Sequence, residues 1–296
     1  MLFSIIIPTY NRVKLLSRAV KSVLNQTFDS WELIIIDNYS TDGTEQLINK
    51  FNNEKIKFIK IKNNGIIAKS RNLGINESKG EFIAFLDSDD WWYNDKLEKI
   101  SKELSESDFI YHNMHVYENG KKTNKKLRVR KLKEPIINDL MIKANAIINS
   151  SVVIRTKILK VSGLLDEDRS IASVEDYDLW LRIARETNAF KLVPDYLGGY
   201  EVHSNNMSNF SSNSIEKIEE VYNRNINYLP DSKKAMATFT KYYTIGRIHY
   251  ELRNYVEAQT FFKRSIKTNI IEFKLKSLVM LLLVLIKNTF FKHDKN

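Results

Sequence analysis

Residues 81–92 read EFIAFLDSDDWW. The run Phe82 to Leu86 has the length of a strand and no polar residue, which predicts a central strand covered on both faces. It stops directly in Asp87, Ser88, Asp89 and Asp90. Ligands of open α/β sheets sit beyond the carboxyl ends of the strands, so this acidic cluster is expected over a binding crevice. Alternate residues at a strand end project to one side, which would let Asp87 and Asp89 hold a hard divalent cation, Mg2+ or Mn2+, that also binds a diphosphate; a solvated acidic turn is the alternative.

The same pattern extends in both directions. Phe3 to Ile7 is a predicted strand stopped by Pro8, and Asn11 is the expected cap of a helix with Val13, Leu16, Val20, Val23 and Leu24 on one face. Trp31 to Ile36 is a second strand ending in Asp37, Thr44 starts a short helix, and Lys55 to Ile61 is a third strand. Asn63, Asn64 and Gly65 turn into a helix ending near Gly74. Beyond a strand near Val152 to Ile154, a helix starts around Glu175, and two short strands flank Pro194 and Tyr200. From Asn213 onward only helical period remains.

The fold class expected is therefore α/β, a Rossmann-like, mostly parallel central sheet flanked by helices, with a C-terminal α-helical appendage. A cluster of Ser and Asn around Met207 to Asn213 sets the expected boundary, giving a catalytic domain of 1–210 and a helical region of 211–296. Residues 119–133 hold eight Lys and Arg with almost no apolar content and are expected to form a surface loop without regular structure.

The formal charge is +10 and the chain has no cysteine. Anionic partners are expected, while disulfides and thiolate chemistry are excluded. The start, Met1-Leu2-Phe3-Ser4 and then Ile5, reads as a buried strand and not as a leader, so a cytoplasmic location is expected. Walker, dinucleotide G-x-G-x-x-G, H-E-x-x-H and G-x-S-x-G motifs are all missing, which removes support for those four chemistries.

Glu175 and Asp176 open a helix carrying Leu179, Trp180 and Ile183, where acidic residues oppose the helix dipole or, facing the crevice, supply a general base. His203 follows an expected strand and is either structural or a metal ligand beside Asp89. Arg71 suits a phosphate, a carboxylate or a surface ion pair.

Five motifs together resemble the family 2 glycosyltransferases of GT-A fold: SIIIPTYNR (4–12), IDNYSTDGT (36–44), NNGIIAKSRNLG (63–74), EFIAFLDSDDWW (81–92) and EDYDLWLR (175–182). The resemblance covers about residues 3–208. It implies that Pro8, Thr9, Tyr10, Asn11, Asp37, Arg71, Asp87 and Ser88 line the site of a nucleotide-sugar donor, Asp37 facing the base and Asp87 the ribose. It implies Asp89 at the metal, His203 within HSNNMS as a further metal or diphosphate contact, and Asp176 as catalytic base. Trp91, Trp92 and Trp180 would offer a sugar-stacking face beside Glu175 on the acceptor side, with packing as the alternative reading. The implied reaction is inverting transfer, from a UDP-sugar by preference, to a glycan or a lipid-linked, polyprenyl diphosphate acceptor in surface polysaccharide assembly. Asn38 and Tyr39 depart from the family pattern at the base.

Tyr242, Ile245, Gly246, His249, Ala258 and Phe262 fit one tetratricopeptide-like helical hairpin. The apolar run Leu278 to Ile286, flanked by lysines, is too short to span a bilayer, at about 1.5 Å per residue. It suits the cytoplasmic surface of the inner membrane, internal packing or a homo-oligomer interface. Two competing readings remain: a nucleic-acid binder, opposed by the acidic crevice, and an inactive scaffold recruiting partners through its helices, opposed by the intact Asp87, Asp89 and Asp176.

Overall fold

The computed structural model describes residues 2–203 and 211–293, with side chains as far as residue 287. In chain order the elements are β1 (Phe3–Thr9), α1 (Val13–Leu24), β2 (Trp31–Asp37), α2 (Thr44–Phe51), β3 (Ile56–Lys60), α3 (Ile67–Asn76), β4 (Phe82–Phe85), β5 (Trp91–Trp92), α4 (Lys96–Ser101), β6 (Phe109–Glu118), β7 (Lys121–Leu127), α5 (Ile136–Lys143), β8 (Val153–Arg155), α6 (Thr156–Val161), α7 (Glu175–Glu186), β9 (Phe190–Val202), α8 (Asn213–Asn225), α9 (Asp231–Glu251), α10 (Tyr255–Ser265) and α11 (Ile271–His293). They form two compact units, Met1–Leu132 with Ala146–Asn206, and Lys133–Asn145 with Met207–Asn296.

The first unit is built on one nine-stranded sheet of order β3-β2-β1-β4-β8-β6-β9-β5, with β7 paired to β6. The pairs β3–β2, β2–β1 and β1–β4 are parallel, as the apolar runs predict. Beyond β4 the sheet is mixed, because β8 runs antiparallel to both β4 and β6 while β6 and β9 are parallel. Strand alternation divides the core. Ile5, Ile7, Leu33 and Ile35 pack with Leu16, Val20 and Val23 of α1 and Leu97 of α4. On the other face Phe85 meets Trp180 of α7, and Gly74 of α3 lies so close to Ile6 that a Cβ there would stand 2.6 Å from it. Burial on both faces is why β4 reads as an unbroken apolar run and β1 and β2 as nearly so, their Ser4 and Glu32 pairing with each other at 2.6 Å.

Three local expectations are corrected, and one strand is new. Asn11 does not cap α1: its Oδ1 accepts from Thr41 N–H, and Asp42 accepts from Val13 N–H at 2.8 Å instead. The lysine-rich segment forms β7, an edge strand whose charged side chains are exposed; an edge needs little apolar content, and lysines there discourage further pairing. Phe190–Val202 is one strand and not two, with register shifts near Pro194, whose ring nitrogen cannot donate to the ladder. β6 answers to no apolar run, because His112, Asn113 and His115 interrupt it.

The second unit is helical. Tyr222 of α8 donates to Met141 O of α5 at 3.2 Å, and Thr240 of α9 donates to Ile142 O. α9 and α10 form the expected hairpin, with Ala258 and Phe262 fully buried. Gly246 lets the helices approach, since a Cβ there would lie 2.8 Å from the Phe262 ring. Phe273, Met280 and Val284 of α11 are buried, the last two packed with Ala258 and Phe262.

Candidate active site

Three strand ends supply the site, all in the first unit. Thr9 and Asp37 are register partners at the ends of β1 and β2, and Asn38 N–H donates to Thr9 O at 3.0 Å. Asp37 is buried and accepts from Ser40 N–H at 3.0 Å and Ser40 Oγ–H at 2.5 Å. Ser40 Oγ in turn accepts from Asn11 N–H at 2.8 Å, so the two turns brace each other. Asn11 and Tyr39 both hold left-handed backbone, φ 48° and 57°, a conformation that side chains other than glycine resist. Tyr10 and Tyr39 stay about half exposed at this end, while Pro8 and Ser88 are buried. Asn38 Oδ1 accepts from Asn63 N–H, tying the family departure to the turn before α3.

Arg71 is the hub of the second cluster. Its side chain is 6% exposed and bridges Asp87 at 2.8 Å and Glu175 at 2.7 Å. Burial by itself lowers the guanidinium pKa, but the two carboxylates more than offset it and hold it above the ordinary value. Both terminal nitrogens of Arg71 meet carboxylates, so it organises Asp87 and Glu175. Glu175, expected on the acceptor side, is buried in that ion pair. Asp87 is further fixed by Asn149 Nδ2 at 3.0 Å, and its N–H donates to Ser150 Oγ at 3.1 Å.

Asp176 is half-buried at the start of α7, its Oδ1 accepting from Tyr177 N–H at 2.6 Å. Its carboxyl is pushed up to about 7, first by burial and then by Glu175, against the pull of Arg71 and the Tyr177 N–H. A carboxylate that titrates near neutrality is suited to accepting a proton.

Asp89 anchors the third cluster. Its Oδ2 meets Arg12 Nη1 at 2.5 Å and His203 Nε2 at 3.0 Å. Its carbonyl accepts from Arg18 Nη2 at 2.7 Å, while Arg18 Nη1 pairs with buried Glu201 at 2.7 Å. Neighbouring Asp90 is buried and its pKa lies well above the ordinary value, first because of burial and then because of Asp89 and Asp87. Arg12, Arg18 and Glu201 carry no role in the sequence reading. Arg12 stands inside the first motif, but the partnership with Asp89 crosses 77 positions and leaves no local signal. Residues 204–208 of HSNNMS lie outside the described residues.

Of the three tryptophans, two take the packing role that the sequence left as the alternative. Trp92 and Trp180 are core residues, 1% and 0% exposed, and Trp92 Nε1 donates to Ser150 O at 2.8 Å. Trp91 lies against Gly199, where a Cβ would come within 2.3 Å of its ring, and the Arg18 guanidinium sits 3.6 Å from its ring centroid.

A sheet of this topology, with its carboxylates and arginines gathered at the ends of β1, β2 and β4, is the GT-A glycosyltransferase fold. The chain belongs to glycosyl transferase family 2, whose model matches residues 4–162. WfgD of Escherichia coli, a UDP-Glc:alpha-D-GlcNAc-diphosphoundecaprenol beta-1,3-glucosyltransferase, is 31% identical over 221 residues, 74% of this chain and 83% of that protein. An uncharacterized glycosyltransferase of Rickettsia bellii is 44% identical over 110 residues, which are 36% of this chain and 16% of that longer protein. Among solved structures, S. aureus TarS 1-349 in complex with UDP-GlcNAc aligns with a TM-score of 0.67 at 21% identity, over 90% of this chain and 81% of the other. The mannosyltransferase PcManGT from Pyrobaculum calidifontis, in complex with GDP-Man and Mn2+, aligns with a TM-score of 0.60 at 16% identity, over 96% and 80%. At those identities the structures speak for the fold alone.

Proposed function

We propose that this chain transfers a sugar from a UDP-sugar to a hydroxyl of a lipid-linked glycan, inverting the anomeric carbon, in the assembly of a bacterial surface polysaccharide. The observation that carries the reading is Asp176, a half-buried carboxyl pushed up to about 7 within reach of the Arg71-bridged pair Asp87 and Glu175. Asp176 takes the proton of the acceptor hydroxyl as its oxygen bonds to the anomeric carbon. The bond from that carbon to the diphosphate oxygen breaks on the opposite face, and UDP leaves. Thr9, Tyr10, Asn11 and Asp37 form the nucleotide end, and Asp87 the ribose contact. Both the acceptor chemistry and the uridine donor are supported by the likeness to WfgD.

Mn2+ or Mg2+ fits Asp89 and His203. Asp89 Oδ2 meets both Arg12 Nη1 and His203 Nε2, so an ion held here would displace those contacts, and such ions take one or two protein ligands and fill the remaining positions with phosphate oxygens and water. Among the described residues no group of three or more metal-ligating side chains occurs. Bound at Asp89, the ion would neutralise charge developing on the leaving group. Residues 1–210 are the catalytic domain in this reading and 211–296 the helical region, working at the cytoplasmic face of the inner membrane. No described helix is long and apolar enough to cross a membrane.

Calorimetric titration with UDP, GDP and dTDP, with and without Mn2+, tests the donor site. UDP should bind with Mn2+ present, and Asp89→Ala should lose that binding. No heat from any of the three nucleotides in the unaltered protein would sink the proposal.

A further inference from the structure

The second unit carries a surface that the transfer reaction does not use. α11 spans 23 residues, about 35 Å at 1.5 Å per residue. Phe273, Ser277, Met280 and Val284 are buried on one side. At 100° per residue, Leu275, Leu278, Val279, Leu282, Leu285 and Ile286 fall on the opposite side, within a sector of about 120°. These six are 43–59% exposed. A contiguous apolar face of this kind marks a docking surface rather than scattered exposure.

The borders of the face identify its occupant. Lys274 lies along one edge, Lys276 and Lys287 lie along the other, and all three are exposed. The sole acid between residues 271 and 287 is Glu272, already paired with Lys276 at 2.6 Å. A second copy meeting this face would set lysines against lysines with no acid left to answer them. A layer of anionic headgroups over an apolar interior answers both parts, with leucines in the acyl boundary and ammonium groups reaching up to phosphate. We propose that this face of α11 lies flat on an anionic lipid surface and holds the enzyme there. The inference deepens the membrane location proposed above and does not depend on the donor chemistry.

The test is co-sedimentation of the full chain with phosphatidylcholine vesicles, with and without phosphatidylglycerol, over a salt series. Three proteins are compared: unaltered, Leu278→Ser with Leu282→Ser, and Lys274→Gln with Lys276→Gln. The unaltered chain should partition onto the anionic vesicles only. The leucine variant should bind at least tenfold more weakly, and the lysine variant about fivefold more weakly per charge with less salt dependence. Circular dichroism and the UDP titration, done without vesicles, report folding and donor site separately, so a failed membrane reading is not confused with a failed catalytic one. No binding by the unaltered chain, or equal binding by a folded leucine variant, overturns the proposal. So does a concentration-dependent dimer, abolished by the leucine pair, in a chain that ignores vesicles; the occupant is then a second copy.

Discussion

Asp176→Asn is predicted to stabilise the protein while stopping transfer. The folded environment raises this carboxyl from 3.8 to about 7, chiefly through burial and then through Glu175. A raised pKa means that the protonated acid is the form favoured by folding. That contribution is complete below about pH 4 and is lost as pH climbs through 7, where the folded chain must hold a charge it disfavours. At about 1.4 kcal/mol per pH unit the full displacement corresponds to about 4 kcal/mol, and contact of the half-buried side chain with water reduces it to about 2 kcal/mol. Asn removes the charge and keeps an oxygen for the Tyr177 N–H, which now donates to Oδ1 at 2.6 Å. Urea denaturation at a series of pH values should show no advantage for the variant near pH 4, an advantage growing to about 2 kcal/mol by pH 7, and a plateau beyond. Transfer should fall by about 10²- to 10⁴-fold. A variant that is less stable than the parent at pH 8.5 would refute the electrostatic argument. One that keeps its rate would refute the assignment of the base.

Arg71→Met should cost about 3–5 kcal/mol in thermal or urea unfolding, because it strands Asp87 and Glu175 without their shared cation. The same change removes one of the two influences that hold Asp176 down, so the acid limb of the pH–rate profile should move above 7. An unmoved limb would mean that Arg71 acts only on stability. Gly246→Val should destabilise the helical unit by about 1–3 kcal/mol, since even its Cβ would come within 2.8 Å of the Phe262 ring. UDP binding in the titration should be unchanged, and a matching loss there would show that the two units do not behave independently.

Three strands of the parallel half of the sheet were legible because each is covered on both faces, and two-sided burial is written as a nearly continuous apolar run. Phe82 to Leu86 is wholly apolar, while Phe3 to Ile7 and Trp31 to Ile36 each carry one polar residue, Ser4 and Glu32. β6 was not legible, since its polar residues are satisfied by partners that no window of sequence contains. Asn113 Nδ2 donates to Pro194 O, 81 positions away, and His115 Nδ1 meets Tyr93 Oη, 22 positions back. β7 was hidden for the opposite reason: an edge strand exposed along its length needs no apolar signature.

The chemistry of the candidate site divides along the same line. Residue types at strand ends are visible in sequence, so Asp87, Asp89 and Asp176 could be named; which cation meets which carboxylate could not. Arg71 finds Asp87 16 positions on and Glu175 104 positions on, and Arg18 finds Glu201 183 positions on. In sequence Arg18 belongs to the polar side of an amphipathic helix, and only the fold turns that side toward the Asp89 carbonyl. Lys96 makes the same point more sharply. At the start of a short helix it reads as a solvated charge, yet it is fully buried, 3.4 Å over the Trp92 ring, with Nζ donating to Ser150 O at 3.2 Å. Burial lowers its pKa well below the ordinary lysine value, against the opposing pull of buried Asp90. Ser150 Oγ accepts the Asp87 N–H, so this lysine supports the same loop that Arg71 and Arg18 hold from other directions. A loop of four consecutive polar residues, three of them carboxylates, would otherwise repel itself open. Its shape is set by cations drawn from α1, α3 and α4, and that convergence is a property of the fold, with no counterpart in any single motif.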